Sequence, residues 1–304
     1  MDKKLLLAHI ALFWVAFIYA ANFTIAKPVM AAPTYYLDPF GFIMLRCLVG
    51  TSLLWITHFL FVREPVEKKD LGRMALCAVC GIAGNQLCFF YGLNLTTPIN
   101  GALIMLVSPI LVLLLSMVAF KEKITGLKAW GIVLGLSGAA LLILTGKTGI
   151  KDAPNPSLGN IFVGINAALY AGYLVLVKPL MIKYSPFTTL KWVFLFGTLY
   201  VIPFGWAPLQ QADFGAMPTS IFWNIGFVLF FVTYLTYVMG GAALSIVKAS
   251  VASTYIYLQP LLASVIAIGA GKDELTIYLL IAGILIATGV YLVSKRPSIS
   301  SPSS

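Results

Sequence analysis

Ten long apolar stretches follow one another along the chain, roughly at 5–27, 40–62, 71–93, 99–119, 127–146, 158–180, 187–207, 220–244, 250–270 and 276–294, with short polar turns between them. Each has about the length, roughly 17–25 residues, that carries a helix across the hydrocarbon core of a bilayer. A membrane-spanning strand would instead show about ten residues of alternating polarity, and no such alternation occurs. Lipid offers the backbone no partners, so a spanning segment must satisfy its own N–H and C=O groups, as a helix does. The pattern therefore predicts an all-α integral membrane protein with ten transmembrane helices. The opening MDKKLLLAHIALFWVAFIYAAN has the charged start of a secretory leader. Its apolar run exceeds the roughly 7–15 residues of a leader's hydrophobic region, which makes it a retained first span.

The polar punctuation repeats. SPILVLLLSMVAFKEKIT, from Ser108 to Thr125, returns 151 residues later as QPLLASVIAIGAGKDELT, from Gln259 to Thr276. At the same offset Lys27-Pro28 falls on Lys178-Pro179, Pro109 on Pro260, Leu93 on Leu244 and Gly138 on Gly289. Two units follow, 1–147 and 148–297, each with five spans, and then a polar, disordered tail at 298–304. An odd number of crossings per unit places the second copy the other way up, so the two five-helix repeats are inverted. Secondary transporters use that arrangement to alternate access to one central site. A duplication that merely built a bundle would leave the same register.

Composition adds a class boundary. Of the 304 residues 60% are hydrophobic and only 10% charged, against roughly 45–50% and about 25% in soluble domains. A net charge of +10 would suit a nucleic-acid partner, but the basic residues sit in turns between apolar runs rather than on one face. They read as topology signals, with no nucleic acid implied. With the N-terminus cytoplasmic, fifteen of the 20 Lys and Arg residues collect on the inner side. Lys27, Lys147, Lys151 and Lys272 lie outside, and Arg46 lies within a span. Both termini are accordingly expected in the cytoplasm, and a bacterial inner membrane is the expected location. The Lys121-Glu122-Lys123 turn is net positive inside, while its repeat Lys272-Asp273-Glu274 is net negative outside.

These residues resemble a known family. Pro39 with Arg46, FFYGLNLTTPINGAL (Phe89 to Leu103), the Pro109 span ending FKEKIT, WGIVLGLSGAALLIL (Trp130 to Leu144) and ALSIVKASVASTYIYLQPLLA (Ala243 to Ala263) are similar to the EamA-like, ten-helix members of the drug/metabolite transporter superfamily. The resemblance covers nearly the whole chain. The second copy departs from the pattern in Lys272-Asp273-Glu274 after Gly271 and in lacking a counterpart to Arg46. The resemblance implies a solute carrier, often an exporter of amino acids or other metabolites, and it does not name the solute.

Candidate chemistry lies within the spans. An ionisable group in lipid is a functional candidate by default. Arg46 sits seven residues past Pro39, about 10 Å along a helix, where it either holds a substrate carboxylate or phosphate or locks the second span to carbonyls or Asp38. Asn22, Asn85, Gln86 and Gln259 are amides that either bond a polar solute or join helices. Trp14, Tyr170, Tyr173, Tyr237 and Tyr255 offer rings and hydroxyls to an amphipathic solute or serve packing. Lys27, Pro28, Lys178, Pro179, Pro109 and Pro260 are candidates for helix breaks and gating, because proline removes a backbone donor. The two lysines also suit snorkelling to the interface.

The pattern also excludes chemistry. No Asp or Glu falls deep in a predicted span, so no carboxylate proton relay is expected. His9 and His58 lie near the cytoplasmic ends of their spans. Cys47, Cys77, Cys80 and Cys88 suit packing rather than disulfides or metal, and no nucleotide or catalytic motif appears. No cofactor, no metal and no enzymatic activity are expected. The expected partners are a small-molecule solute, membrane lipid and, through Gly131-x-x-x-Gly135, a homodimer or an internal contact. The predicted function is facilitated transport or exchange of a small polar or amphipathic metabolite such as an amino acid; a non-transporting membrane scaffold is the alternative.

Overall fold

A computed structural model describes residues 3–29, 36–96, 98–145, 154–269 and 276–294. The Lys272-Asp273-Glu274 turn, Lys147, Lys151, Lys295, Arg296 and the tail at 298–304 lie outside the described residues, as does the side chain of Lys27. Among the described residues, ten helices are long and apolar enough to cross a membrane. They are α1 (Lys3–Ile25), α2 (Pro39–Val62), α3 (Lys68–Leu95), α4 (Asn100–Phe120) and α5 (Gly126–Thr145) in the first half. The second half holds α6 (Pro156–Lys183), α7 (Pro186–Gln210), α8 (Thr219–Ile246), α9 (Ala249–Gly269) and α10 (Ile277–Ser294). Ten successive crossings bring the start of α1 and the end of α10 to one face of the bundle, here called the termini face. Large apolar side chains such as Phe61, Val118 and Trp223 point outward, as lipid-facing positions require.

Local chemistry sets the helix ends. Asp38 accepts from the backbone N–H groups of Phe40 and Gly41 and caps α2, with Pro39 in its first turn. Asn155 and Ser185 cap α6 and α7 in the same way, each followed by a proline. A side-chain acceptor followed by proline satisfies donors that a helix start leaves open.

The two halves correspond element by element at the 151-residue offset. Residues 68–95 map onto 219–246, the full extents of α3 and α8. Both carry a π-helical segment at matching depth, Val79–Ala83 in α3 and Val228–Leu235 in α8. Both α4 and α9 change course at matching points: α4 turns at Leu106–Val107 before Pro109, and α9 tightens over Tyr255–Tyr257 before Pro260. The prolines of the other pair behave differently. α6 runs straight through Pro179 to Lys183, whereas Pro28 lies in a separate short 3-10 turn after α1. Pro179 stands four residues before the end of α6, so little of the helix follows the donor it removes.

Helix pairing has the same symmetry. α5 packs on α10, and α2 on α7; α3 packs on α6 as α8 does on α1, and α4 meets α9. Thr198 Oγ1 donates to Cys47 O at 3.2 Å, a bond between residues 151 apart. The α5–α10 contact is a glycine seam: a Cβ on Gly131 would stand 2.7 Å from Gly289 O, and one on Gly289 2.6 Å from Gly131 O. The Gly131-x-x-x-Gly135 motif is thus used inside the chain, where small residues let two helix backbones approach closely.

Candidate functional site

A cavity of about 90 Å³ lies between α1, α6, α8 and α9. α1 contributes Leu12, Val15, Ala16 and Tyr19; α6 contributes Tyr170, Tyr173 and Leu174; α3 adds Gly81. α8 supplies Thr236, Tyr237, Gly240, Gly241 and Leu244, and α9 supplies Ala252, Tyr255, Ile256 and Gln259. In α6, α8 and α9 these positions run from mid-helix toward the termini face. The cavity therefore occupies that half of the bundle.

Five tyrosines form most of its polar lining, and glycine makes room for them. Gly81 lies against the ring of Tyr173, where a Cβ would stand 2.3 Å from a ring carbon. Tyr237 donates to Gly81 O at 3.2 Å, an acceptor within the π-helical part of α3. Such segments depart from the i→i−4 ladder and leave backbone groups for other partners. The Tyr237 ring also meets Phe194 edge-on at 4.9 Å. Tyr19 OH lies 3.3 Å from Thr236 Oγ1, and Tyr255 OH lies 2.8 Å from His9 Nδ1. The wall thus combines ring faces with hydroxyls and one amide, and no charged side chain among the described residues lines it.

The sequence candidates separate by position. Tyr170, Tyr173, Tyr237, Tyr255 and Gln259 come together at the cavity. Arg46 stands behind the wall: its Nε donates to Thr233 Oγ1 at 2.9 Å, in the π-helical part of α8. Asn85 joins helices, donating to Asn166 O at 3.2 Å while Asn166 donates back to Asn85 O at 2.7 Å. Gln86 is buried beside it in α3, and Asn22 lies near the end of α1. Trp14 is 48% exposed and packs against Phe13 and Phe17 on the outer side of α1. Lys178 is partly buried, and its side chain turns back to the protein. Its ammonium donates to Leu244 O and Val247 O at 2.8 and 2.6 Å, closing the end of α8.

Three features escaped the sequence. Tyr19 lines the cavity and is the repeat counterpart of Tyr170, so the 151-residue offset is the signal that marks it. Glu122, read as a loop residue between spans, is buried and pairs with buried Lys128. The Glu122 carboxylate also accepts from Ser250 at the start of α9. Lys121 enables this by taking a left-handed φ of 51° just past α4, which turns the chain back on itself. His58, expected near the interface, is also buried, with Lys191 Nζ 3.0 Å from its Nδ1 and Trp55 and Trp192 beneath that ammonium.

An all-helical bundle of ten membrane-length helices, its halves paired about a tyrosine-lined cavity, is the architecture of a polytopic membrane protein built by duplication. The chain belongs to the EamA-like transporter family, whose family model matches residues 6–144 and again 157–295. The two matches stand 151 residues apart, the offset of the helices themselves. The chain is 25% identical over 284 residues to the uncharacterized transporter YyaM of Bacillus subtilis, covering 90% of this chain and 91% of that one. It is 24% identical over 239 residues to a probable terminal-alkyne amino-acid exporter of Streptantibioticus cattleyicolor, covering 77% and 76%. A solved crystal structure, 16% identical, shares the fold with a TM-score of 0.77 over 94% of this chain and 95% of its own.

Proposed function

We propose that the protein is a secondary transporter, not an enzyme, that exports or exchanges a small polar or amphipathic metabolite such as an amino acid. Alternating access of the two inverted repeats carries the solute across the membrane, with both termini in the cytoplasm of a bacterial cell. The single observation that carries this is the tyrosine-lined cavity at the junction of the halves, offering ring faces and hydroxyls to one solute at once. Its volume of about 90 Å³ is well below the roughly 300–1,000 Å³ of ligand pockets. We infer that the cavity widens as the halves move apart, admitting an amino-acid-sized solute. The named relative from Streptantibioticus supports amino acids as the first class to test. Arg46, behind the wall, biases the site toward a solute that carries a carboxylate.

The test is solute counterflow in proteoliposomes with a panel of amino acids, organic acids, sugar phosphates and nucleosides, with and without a pH gradient. Saturable exchange of one class is expected, and Arg46→Ala should impair it while the purified variant still elutes as folded protein. A silent panel, beside a working control carrier, would sink the transport proposal.

A further inference from the structure

Ten buried side-chain polar atoms have no hydrogen-bond partner among the described residues. Four of them are Asn22 Oδ1, Gln86 Oε1, Ser108 Oγ and Asn166 Oδ1. Moved by the repeat offset of 151, these four positions become Tyr173, Tyr237, Gln259 and Val15. Every one of those counterparts lines the cavity. The remaining pair of the series, Tyr19 and Tyr170, exchange with each other and both line it. The pseudo-two-fold relation between the halves therefore passes between these two tyrosines. It carries the open cavity of the termini-face half onto a closed region in the opposite half.

That region is shut here. Gln86 is 7% exposed, Asn166 3% and Ser108 0%. A Cβ on Gly92 would stand 2.9 Å from Gly159 O, and one on Gly159 2.7 Å from Thr96 N, so α3 and α6 touch backbone to backbone beyond it. Thr96 Oγ1 donates to Asn160 Oδ1 at 2.6 Å and ties the same helices together. An acceptor sealed from water without a donor is disfavoured, and several in one place disfavour the closed form of that place. The same atoms become satisfied once the region opens to water or to a solute.

We propose that Asn22, Gln86, Asn166 and Ser108 form a second, polar half-site for the transported solute, which opens to the face opposite the termini when the halves exchange conformations. This rests on the transport proposal above and adds the chemistry of the other opening. The orientation of Asn166 is settled by its own bonding. Its Nδ2 donates to Asn85 O, so the unpartnered atom is the carbonyl oxygen. The half-site thus offers amide oxygens and a hydroxyl, and it takes a solute bearing amine, ammonium or hydroxyl donors. The opening on the termini face offers tyrosine rings and hydroxyls instead. Such an asymmetry gives the two faces different half-saturation concentrations. It leaves the equilibrium distribution of the solute unchanged, because no energy source enters the cycle.

Sided thiol labelling tests this independently of transport. The full-length protein, with Cys47, Cys77, Cys80 and Cys88 replaced by alanine, is reconstituted in one orientation and exposed to a membrane-impermeant methanethiosulfonate from each face. Gly240→Cys reports the termini-face cavity, since a Cβ there meets nothing within 4 Å. Ser108→Cys and Asn166→Cys report the second half-site, and two variants keep the test alive if one fails to fold. The expected result is labelling of Gly240→Cys from the termini face and of the other two from the opposite face. A minor conformer populated at roughly 0.1–10% suffices, slowing the reaction by that fraction. If folded Ser108→Cys and Asn166→Cys stay unlabelled from the opposite face during active counterflow, the half-site is wrong and transport stands. If they are labelled but no solute exchanges, the second opening stands and the transport proposal falls.

Discussion

The α5–α10 seam and the central cavity are both built where the two halves meet, yet they are made of opposite materials. At the seam, Gly131 and Gly289 bring backbone onto backbone, with Gly135 and Gly138 continuing the line. At the cavity, Tyr19, Tyr170, Tyr173, Tyr237 and Tyr255 keep the helices apart and make contact through rings and hydroxyls. A glycine seam has no side chain to rotate, so its contact is either made or broken. An aromatic wall is held by a few hydrogen bonds and leaves a void in one conformation. The comparison teaches that one interface between halves closes tightly where both sides carry glycine and leaves a void where tyrosines line it.

The largest expected effect lies at the turn between α4 and α5, where Glu122 and Lys128 are paired out of water beside Ser250. Glu122→Ala leaves the Lys128 ammonium buried without its counter-ion, which should lower stability by about 3–5 kcal/mol. Thermal unfolding of the purified protein in detergent measures the loss, and Glu122→Gln should recover part of it by keeping a partner for Ser250. Next comes the seam itself. Gly131→Leu forces a side chain against Gly289 O and Val293 N, and over-packing of this kind costs about 1–3 kcal/mol. The yield of folded protein should fall, because backbone cannot swing aside as a flexible side chain can.

A smaller effect separates wall from seam. Tyr237→Phe removes only the hydroxyl bonded to Gly81 O, a change of about 1 kcal/mol in stability. It should raise the half-saturation concentration for counterflow while the protein stays folded; unchanged counterflow would show that the wall hydroxyl makes no contact with the solute. The smallest effect lies outside the spans. The Glu67 carboxyl is held below its ordinary value of 4.5 by hydrogen bonds from Lys183 and then Lys69. A lowered value in the folded state means that its stabilisation is full above pH 4.5 and fades as pH falls through the lowered value. Because the group is exposed, the melting temperature should shift only slightly below pH 4.5, and Glu67→Gln should remove that part of the shift.

Much of this molecule was legible before any coordinates. Apolar length alone located ten helices, because lipid demands a continuous run of residues that a helix can satisfy from within. The offset that pairs Pro109 with Pro260 also pairs α3 with α8 and their π-helical segments, since duplicated sequence folds to duplicated structure. Residue type also picked out Tyr170, Tyr173, Tyr237, Tyr255 and Gln259, which the fold gathers at the cavity.

Direction around each helix was not legible. Trp14 and Tyr19 stand five residues apart in the same apolar span; one is turned outward and the other faces the cavity. An all-apolar helix has no polar stripe to mark its inner face, so only its neighbours decide which side is covered. The same holds for charge. Glu122 reads as a turn residue, and it is the packing of α5 and α9 around that turn that buries it against Lys128. Sequence by itself therefore determined how many helices there are, where they begin and how the halves correspond, because those properties follow from local composition and repetition. Tertiary structure alone decided which side chains meet, because a contact between helices depends on rotation and depth that no single span encodes.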